Sequence, residues 1–387
     1  MTVPADEPQP AISLRQRIAA EIRRSGPIPF SRYMELCLYE PELGYYSHPR
    51  EQFGKAGDFY TASDVHAVFG RLLARQFEQM WRALDSPARI DLVELGPGRG
   101  LFARDVIDWS AKQFPEFSQA LHYSLVEQSA HLRAKLLERL QEPLAAGKCE
   151  VFDSLEAAGE TTAEEIILFG NEFFDALPVE IIDHRGAVRV GWDDNRFVES
   201  FVSPSAVEDE FLDRYSVRPE EGERVEAPLA SLGWIDRIAD FFHQRRGFLV
   251  LIDYGYTREE QLAGRHRDTL LCYRQHTASA SPYEAPGEQD ITAHVNFTAL
   301  RERAVAQGLR PLGLLTQSQF LIGIGEETQF GDAFQDCKRP QEHAKVALQL
   351  KHLISPAGMG ETFQVLLMSH NVAPGKAAGL SGLKLGR

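Results

Sequence analysis

The stretch DLVELGPGRG, residues 91–100, decides the fold. Its apolar run ends around Glu94, and the chain then turns through Gly96, Gly98 and Gly100 into a segment with helical spacing. Glycines at such a turn permit left-handed backbone and let a ligand approach the main chain closely. In open α/β sheets, ligands bind beyond the carboxyl ends of the strands, so this turn is a candidate binding site.

Strand-like and helix-like segments alternate around this turn. Five apolar runs predict strands: RIDLVELG, LHYSLVEQ, CEVFD, EEIILFGNE and GFLVLIDYG. Between the first three lie the helix-like segments LFARDVIDWSAKQF and SAHLRAKLLERLQEPL. Near-continuous apolar strands alternating with helices are typical of a parallel sheet covered on both faces. We therefore predict a doubly wound, mostly parallel α/β sheet, with SQFLIGIG and TFQVLLMS as two further strand candidates near the C-terminus.

The rest of the chain predicts additions to this sheet. Residues 1–85 are expected to form an N-terminal helical region and a covering loop, because ISLRQRIAAEIRRSG and the segment after Ser63 both have helical spacing. Residues 86–387 are expected to hold the core, with insertions at about 179–245 and 256–300. Within the first insertion, RGAVRVGWDDNRFVESFV predicts β-hairpins with polar turns and strand alternation.

Composition excludes several classes of protein. The formal net charge of −15 argues against nucleic-acid binding, which draws its affinity from Lys and Arg. A basic partner fits this charge, although an acidic surface also serves solubility alone. The four cysteines are far apart and the twelve histidines lack ligand spacing, so we predict neither a disulfide framework nor a metal site.

The sequence also predicts where the protein is found. No apolar stretch approaches the roughly 18 residues of a membrane span, so no span is predicted. The opening MTVPADEPQP contains two acidic residues and no apolar run, which argues against a signal or transit peptide. We therefore expect a soluble, cytoplasmic protein, and a homodimer is an arrangement that the sequence leaves open.

The glycine turn predicts the kind of ligand. A dinucleotide-binding loop, G-x-G-x-x-G, would have its third glycine at position 101, where this chain has Leu101. A G-x-G-x-G turn after an acidic strand end instead resembles the first motif of class I methyltransferases, although glycines that merely form a turn are the alternative. Glu127, ending the next strand, is a candidate acceptor for both ribose hydroxyls, or else a solvated strand-end acid. Asp153, closing the third strand, is a candidate for the adenine edge.

Five motifs together resemble the MidA-type family of class I S-adenosylmethionine-dependent methyltransferases, which includes a mitochondrial complex I assembly methyltransferase. The motifs are FGKAGDFYTA (53–62), VELGPGRG (93–100), NEFFDALPV (171–179), IDYG (252–255) and DITAHVNF (290–297). The resemblance covers roughly residues 15 to 370. It implies a Rossmann-like class I methyltransferase fold, S-adenosyl-L-methionine as methyl donor, and a protein substrate methylated on arginine, such as a respiratory-complex subunit.

NEFFDALP ends the fourth strand and supplies the candidate catalytic residues Asn171, Glu172 and Asp175. A carboxylate that accepts two N–H groups can orient a guanidinium and localise its charge. Glu172 is the best candidate for this contact and Asp175 the second, while capping of the next turn is the alternative for Asp175. The two phenylalanines of the motif either form a wall of the site or belong to the core.

The other motifs supply candidates at the rim of the site. Resemblance suggests that the loop FGKAGDFYTA closes over the donor, so Gly57, Asp58 and Tyr60 are predicted to bind it, although a helix-capping loop would look similar. Tyr254 ends the fifth strand and is a candidate for the acceptor channel. In DITAHVNF, an acidic residue and His294 are candidate acid–base groups, but a lone histidine is more often a structural hydrogen bonder.

Two other classes of function stay open at this point. One is an assembly factor that keeps the cofactor fold and acts mainly by binding a client. The retained acids and glycines, from Glu94 to Glu172, favour an enzyme over such a scaffold. The other is a nicotinamide-dependent dehydrogenase, against which Leu101 counts.

Overall fold

The structure, a computed structural model, describes residues 12–47, 67–274, 277–279 and 281–386. In chain order its strands are β1 Ile28–Pro29, β2 Ile90–Leu95, β3 Leu121–Val126, β4 Cys149–Phe152, β5 Glu165–Asn171, β6 Glu180–Asp183, β7 Gly186–Asp193, β8 Arg196–Val202, β9 Arg224–Ala227, β10 Arg246–Tyr256, β11 Leu271–Arg274, β12 Thr277–Ser279, β13 Asp290–Thr292, β14 Val295–Asn296, β15 Arg310–Thr316 and β16 Phe363–His370.

The α-helices of the described ranges follow the same order, and a 3-10 helix spans Ser381–Gly386. They are α1 Leu14–Ser25, α2 Phe30–Tyr39, α3 Ala67–Ala83, α4 Leu101–Gln113, α5 Pro115–Ala120, α6 Ala130–Arg139, α7 Gln141–Ala145, α8 Leu155–Gly159, α9 Ala206–Tyr215, α10 Leu229–Phe242, α11 Arg258–Leu262, α12 Phe297–Ala306, α13 Gln317–Glu326, α14 Gly331–Phe334, α15 Pro340–Ile354 and α16 Pro374–Ala377. Within the described ranges, no helix has both the length and the apolar character that a bilayer crossing requires.

The central sheet has the strand order β15-β16-β10-β5-β2-β3-β4, with β14 added beside the end of β10. The pairs from β10 through β5, β2 and β3 to β4 are parallel, whereas β16 runs antiparallel to both β10 and β15. The chain enters the sheet at β2, moves outward to β4 and returns to the other side of β2 with β5. Such a reversal opens a crevice at the carboxyl ends of the strands. The predicted doubly wound, mostly parallel sheet is confirmed.

Each face of this sheet carries its own apolar cluster. Phe169 of β5 lies against Phe102 of α4, with ring centroids 4.6 Å apart, and against Phe77 of α3. Leu168, the preceding residue, belongs to the cluster on the other face, together with residues of α10 and α12. Successive residues of a strand point to opposite faces, so a strand covered on both sides must be apolar throughout. The five predicted strands of this type all form.

One predicted strand is wrong. SQFLIGIG is helix α13, which begins after Thr316, whose hydroxyl accepts from the N–H of Gln319 at 3.2 Å. Its buried side chains Phe320 and Ile324 have the four-residue spacing of one helix face. A short apolar run does not by itself distinguish a buried strand from a buried helix. TFQVLLMS forms strand β16 as predicted, and SAHLRAKLLERLQEPL, predicted as one helix, is divided into α6 and α7.

The predicted insertions form smaller sheets beside the core. Strands β1, β7, β6 and β9 form one of them, with β8 pairing to β7. The predicted hairpin is present as β7 and β8, joined at Asp194 and Asn195, whose φ angles of 43° and 62° suit a tight two-residue turn. Helices α1 and α2 pack on this sheet through a shared apolar cluster. Strands β11, β12 and β13 form a second small sheet within residues 256–300.

Candidate active site

A cavity of about 1060 Å³ lies at the carboxyl ends of the central strands. Residues that follow β2, β3, β4 and β5 line it, together with the end of β10, strand β13 and part of residues 35–47. Its volume is at the upper end of the roughly 300–1,000 Å³ of small-molecule sites. It therefore has room for a cofactor and for a side chain of a second substrate.

The glycine turn forms one wall of the cavity through Gly96 and Gly98. Gly96, Gly98 and Gly100 have φ angles of 63°, 52° and 71°, a left-handed conformation that side chains resist. A Cβ on Gly96 would lie 3.0 Å from the ring of Phe173. Gly100 is not among the residues that line the cavity; a Cβ there would lie 2.7 Å from Leu136, so this glycine allows α4 to pack against α6.

Glu94 ends β2 inside the cavity wall and is almost fully buried. Its carboxylate accepts a hydrogen bond of 2.7 Å from the hydroxyl of Tyr123. Burial raises the pKa of Glu94 to about 8, against the lowering effect of that hydrogen bond. The carboxyl is therefore largely protonated near neutral pH, and a nearby cation would favour its ionised form.

Two further predicted donor-site residues line the same end of the cavity. Glu127 is buried, and its carboxylate accepts from the N–H of Ser129 at 2.8 Å. Burial raises the pKa of Glu127 to about 7. Asp153 is exposed and accepts from the hydroxyl of Ser154 at 3.0 Å. Glu127 follows β3, which neighbours β2, and Asp153 follows β4, the next strand beyond β3.

Asn171 and Glu172 continue β5 into the cavity. Glu172 has a φ of 49°, a left-handed conformation uncommon for a residue with a side chain, and its N–H donates to the carbonyl of Ile252 at 2.9 Å. The amide of Asn171 donates to the Glu172 carboxylate at 3.1 Å. Strained residues of this kind cluster at ligand-binding sites, where the surrounding structure holds them.

Asp175 lies four residues after the end of β5 and is buried at the cavity wall. One carboxylate oxygen accepts from the hydroxyl of Tyr254 at 2.7 Å. The other is buried and has no hydrogen-bond partner within the described part of the chain. Burial raises the pKa of Asp175 to about 6. An unsatisfied buried oxygen is costly, so it is available for a donor group of a ligand.

Asp253 positions this loop, a role that the sequence did not indicate. One of its oxygens accepts from the N–H groups of Phe174 and Asp175 at 3.0 and 3.3 Å. The other accepts from the N–H of Tyr254 at 2.9 Å. Burial and the neighbouring Asp175 and Glu172 carboxylates raise the pKa of Asp253 well above its usual value. Strand β10 thus holds both the acidic loop and Tyr254, which lines the cavity as predicted.

The two phenylalanines of NEFFDALP take different positions. Phe173 lines the cavity, packs over Gly96 and meets the indole of Trp234 edge-on at 4.9 Å. Phe174 is 3% exposed and belongs to the apolar cluster beneath the sheet. Phe173 is therefore part of the cavity wall, and Phe174 is part of the core.

Residues 39–46 add an aromatic wall that the sequence analysis missed. The rings of Tyr39 and Tyr46 stack at 5.6 Å, and both line the cavity. The hydroxyl of Tyr39 donates to the carbonyl of Ala176 at 2.8 Å, and that of Tyr46 donates to Asp290 at 3.0 Å. The tyrosine-rich run YEPELGYY was the available signal, but only the folded chain shows what it covers.

The predicted residues of DITAHVNF lie at the cavity, whereas those of FGKAGDFYTA fall outside the described ranges. His294 lines the cavity beside Tyr254, and burial together with His266 lowers its pKa to about 4. Asp290 also lines it, as the acceptor of the Tyr46 hydroxyl. Gly57, Asp58 and Tyr60 lie outside the described residues, so their predicted contact with the donor stays a prediction.

The lining of the cavity is acidic. Among the described residues, its ionisable side chains other than histidine and tyrosine are Glu35, Glu94, Arg99, Glu127, Asp153, Glu172, Asp175, Arg237 and Asp290. S-adenosylmethionine carries a positive sulfonium that supplies the methyl group, and this lining fits a cationic cofactor. Gly96, Gly98, Glu127 and Asp153 all line this cavity, and their predicted contacts with the cofactor stay predictions.

The doubly wound sheet, the glycine turn and the acids at successive strand ends define a class I methyltransferase that uses S-adenosylmethionine. Residues 72–315 match the family model described as "Putative S-adenosyl-L-methionine-dependent methyltransferase". This match covers more than half of the chain, which therefore belongs to that family. The predicted enzyme class and cofactor are confirmed, and the dehydrogenase and non-catalytic alternatives are set aside.

Known proteins similar to this chain agree. The chain is 29% identical to the mitochondrial "Protein arginine methyltransferase NDUFAF7 homolog" of Drosophila melanogaster, over 92% of this chain and 84% of that protein. It is 27% identical to the mitochondrial "Protein arginine methyltransferase NDUFAF7" of Homo sapiens, over 92% and 82%. These names place the relatives in mitochondria, so the cytoplasmic location predicted for this chain stays a prediction, as does a homodimer.

A solved structure supports the cofactor assignment. A Burkholderia thailandensis protein, crystallised with S-adenosyl-homocysteine, superposes on this chain with a TM-score of 0.81 at 30% identity. The alignment covers 100% of this chain and 98% of that protein. The whole architecture, including the small sheets beside the core, is therefore shared with a protein that binds the demethylated donor.

Proposed function

We propose that this protein transfers methyl groups from S-adenosylmethionine to arginine side chains of a protein substrate. One observation carries the proposal: the acidic loop after β5 presents Glu172, in a strained conformation, and Asp175 to the same cavity, and one buried oxygen of Asp175 has no hydrogen-bond partner among the described residues. The similar animal proteins are named protein arginine methyltransferases, which supports the proposal.

The acceptor chemistry suits these two carboxylates. A guanidinium is a poor nucleophile because its lone pairs are delocalised over three nitrogens. A carboxylate that accepts two N–H groups orients the guanidinium and draws its positive charge toward the bound edge. Glu172 provides this contact in the proposal, and Asp175 accepts a further N–H. The rings of Phe173 and Tyr254 line the same space and suit a planar cation.

A protein substrate suits the overall charge and the cavity. The chain carries a formal net charge of −15, which attracts basic segments to an acidic opening. The acidic residues Glu35 and Asp290 line the cavity together with the loop after β5. We propose a basic, arginine-containing segment of another protein as the substrate, and a subunit of a respiratory complex as a specific candidate for that protein.

Mass spectrometry tests the proposal. The protein is incubated with S-adenosylmethionine and a pool of arginine-containing peptides, and the peptides are then sequenced by fragmentation. We expect mass increments of one or two methyl groups on arginine. Methylation confined to lysine, histidine or carboxyl groups would contradict arginine as the acceptor.

Two variants separate donor binding from transfer. Glu127→Ala should lose binding of S-adenosylhomocysteine in calorimetry, because its carboxylate is the proposed ribose acceptor. Glu172→Gln should bind this ligand normally and lose at least about 100-fold in transfer rate, the lower range for a group that acts in the transition state. Glu160→Gln, an exposed acid outside the cavity, serves as the matched control.

A further inference from the structure

Two histidines form a chain that leads out of the cavity. His294 lines the cavity, and its Nδ1 lies 3.2 Å from Nδ1 of His266. His266 is outside the cavity lining and is partly exposed to solvent. Two ring nitrogens at this distance make a hydrogen bond only if one carries a proton and the other does not. The pair therefore joins the site to the surface through a single shared hydrogen.

Aromatic neighbours fix both rings. Tyr254, whose hydroxyl donates to Asp175, meets the ring of His294 edge-on at 5.3 Å. Tyr256 stacks on His266 at 5.1 Å with an angle of 14° between the rings. His266 also has a left-handed φ of 54°, which is costly for a residue with a side chain. His266 thus adopts an uncommon backbone conformation at the position where its imidazole contacts His294.

The proposed reaction produces a proton that must leave the site. The acceptor nitrogen forms a bond to the methyl carbon, while the carbon–sulfur bond of the donor breaks and its electron pair stays on sulfur. A guanidinium enters with one positive charge and leaves methylated with one, whereas the sulfonium charge is lost. Charge balance therefore requires that one N–H bond of the acceptor breaks and that its proton departs.

We propose that His294 and His266 form a proton relay that carries this proton from the cavity to solvent. This inference rests on the proposed function, because it requires an acceptor that loses N–H. His294 gains the proton on Nε2 and gives up the proton on Nδ1 to Nδ1 of His266. His266 in turn releases the proton on its Nε2 to water. Burial and His266 lower the pKa of His294 to about 4, so the ring is neutral and does not retain a second proton.

Chemical rescue tests the relay. His266→Gly suits the left-handed backbone and leaves a space for imidazole on Tyr256. We expect its single-turnover transfer rate to fall by about tenfold or more, below the ~10²–10⁴-fold of a direct acid–base group. Added imidazole should restore the rate. 1-Methylimidazole should fill the same space without restoring it, because a relay needs both ring nitrogens. Equal rescue by the two compounds, or an unchanged rate in the variant, would overturn the relay.

The acceptor is the peptide of the pool that the wild-type protein methylates best, so failure of arginine methylation and failure of the relay are separate results. His243→Gly, which removes an exposed histidine, is the matched control and should keep the wild-type rate. A spectroscopic measurement needs no substrate: ¹⁵N NMR of labelled histidine should show one ring protonated on Nδ1 and its neighbour on Nε2. Finding both rings protonated only on Nε2 would also overturn the relay.

Discussion

Glu172 combines an unfavourable backbone conformation with an acidic side chain in the cavity. Its φ of 49° costs roughly 1–2 kcal/mol for a residue with a Cβ. Two features hold it there: the hydrogen bond from its N–H to Ile252 and the start of the loop that Asp253 binds. The residue is kept where a glycine would be more stable, as expected where side-chain chemistry outweighs backbone stability.

Two single replacements of Glu172 separate the cost of its backbone conformation from the role of its carboxylate. Glu172→Gly removes both the backbone strain and the carboxylate, whereas Glu172→Ala removes the carboxylate alone. We expect Glu172→Gly to be more stable than Glu172→Ala by about 1 kcal/mol in denaturant titrations, and both variants to lose transfer. Equal stability of the two variants would show that the left-handed conformation is not maintained in solution. If Glu172→Gly still transferred methyl groups at the wild-type rate, Glu172 would not be a catalytic residue.

At the scale of elements, strand β10 organises the part of the site that is proposed to bind the methyl acceptor. Asp253 accepts three backbone N–H groups, two of them from the loop after β5. Tyr254, the next residue, points to the other side and binds Asp175. Alternation along one strand thus lets one residue hold the backbone of the loop while its neighbour holds the side chain.

Asp253→Asn tests this organisation. An amide keeps one accepting oxygen and turns an N–H₂ group toward buried N–H donors, so at least one of them loses its partner. We expect a loss of about 1–3 kcal/mol in the free energy of unfolding, the usual cost of an unsatisfied buried group. Because Asp253 does not line the cavity, S-adenosylhomocysteine should bind with nearly wild-type affinity in calorimetry, while the transfer rate falls. If the variant instead lost affinity for S-adenosylhomocysteine but kept the wild-type transfer rate at saturating methyl donor, Asp253 would support the binding of the methyl donor.

The sequence predicted those elements whose position follows from an apolar pattern and from the direction of parallel strands. Glu94, Glu127, Asp153 and Glu172 each follow an apolar run, and the carboxyl ends of parallel strands meet at one edge, so their convergence on one cavity could be foreseen. The helix at SQFLIGIG could not be foreseen, because a short run of mostly apolar and small residues suits either a strand or a helix.

Contacts between segments that are far apart in the sequence could not be predicted from local pattern. Tyr46 donates to Asp290 across 244 residues of chain, and its carbonyl accepts from Ser129 on the donor side of the cavity. No periodicity or motif encodes which loop a surface tyrosine will reach. The same holds for the contact between His266, which follows α11, and His294, which lies between β13 and β14.

For the whole molecule, the folded state holds protons that the unfolded chain releases. The pKa values of Glu94, Glu127 and Asp175 are raised by burial to about 8, 7 and 6, above the usual values of carboxyl groups. Between the unfolded and folded pKa of each group, the folded state binds more protons. Stability therefore falls as pH rises through this window, from about pH 4 to about pH 8. Ionisation of these buried carboxyl groups costs stability, and a cation bound beside them would offset that cost.

The prediction is that S-adenosylmethionine stabilises the protein more at pH 8 than at pH 6, whereas S-adenosylhomocysteine, which lacks the sulfonium charge, shows a smaller pH dependence. Thermal unfolding at several pH values with each ligand measures both effects. Without ligand, the unfolding temperature should decline from about pH 5 to about pH 8, and Glu94→Gln should flatten the upper part of that decline, because Glu94 has the highest pKa of these three groups. The stabilities of wild type and variant would run parallel through pH 6–8 if Glu94 were ionised in the folded state throughout. In that case, binding of the cationic donor would release no proton from Glu94, and proton release measured by calorimetry in buffers of different ionisation enthalpy would be the same for both proteins.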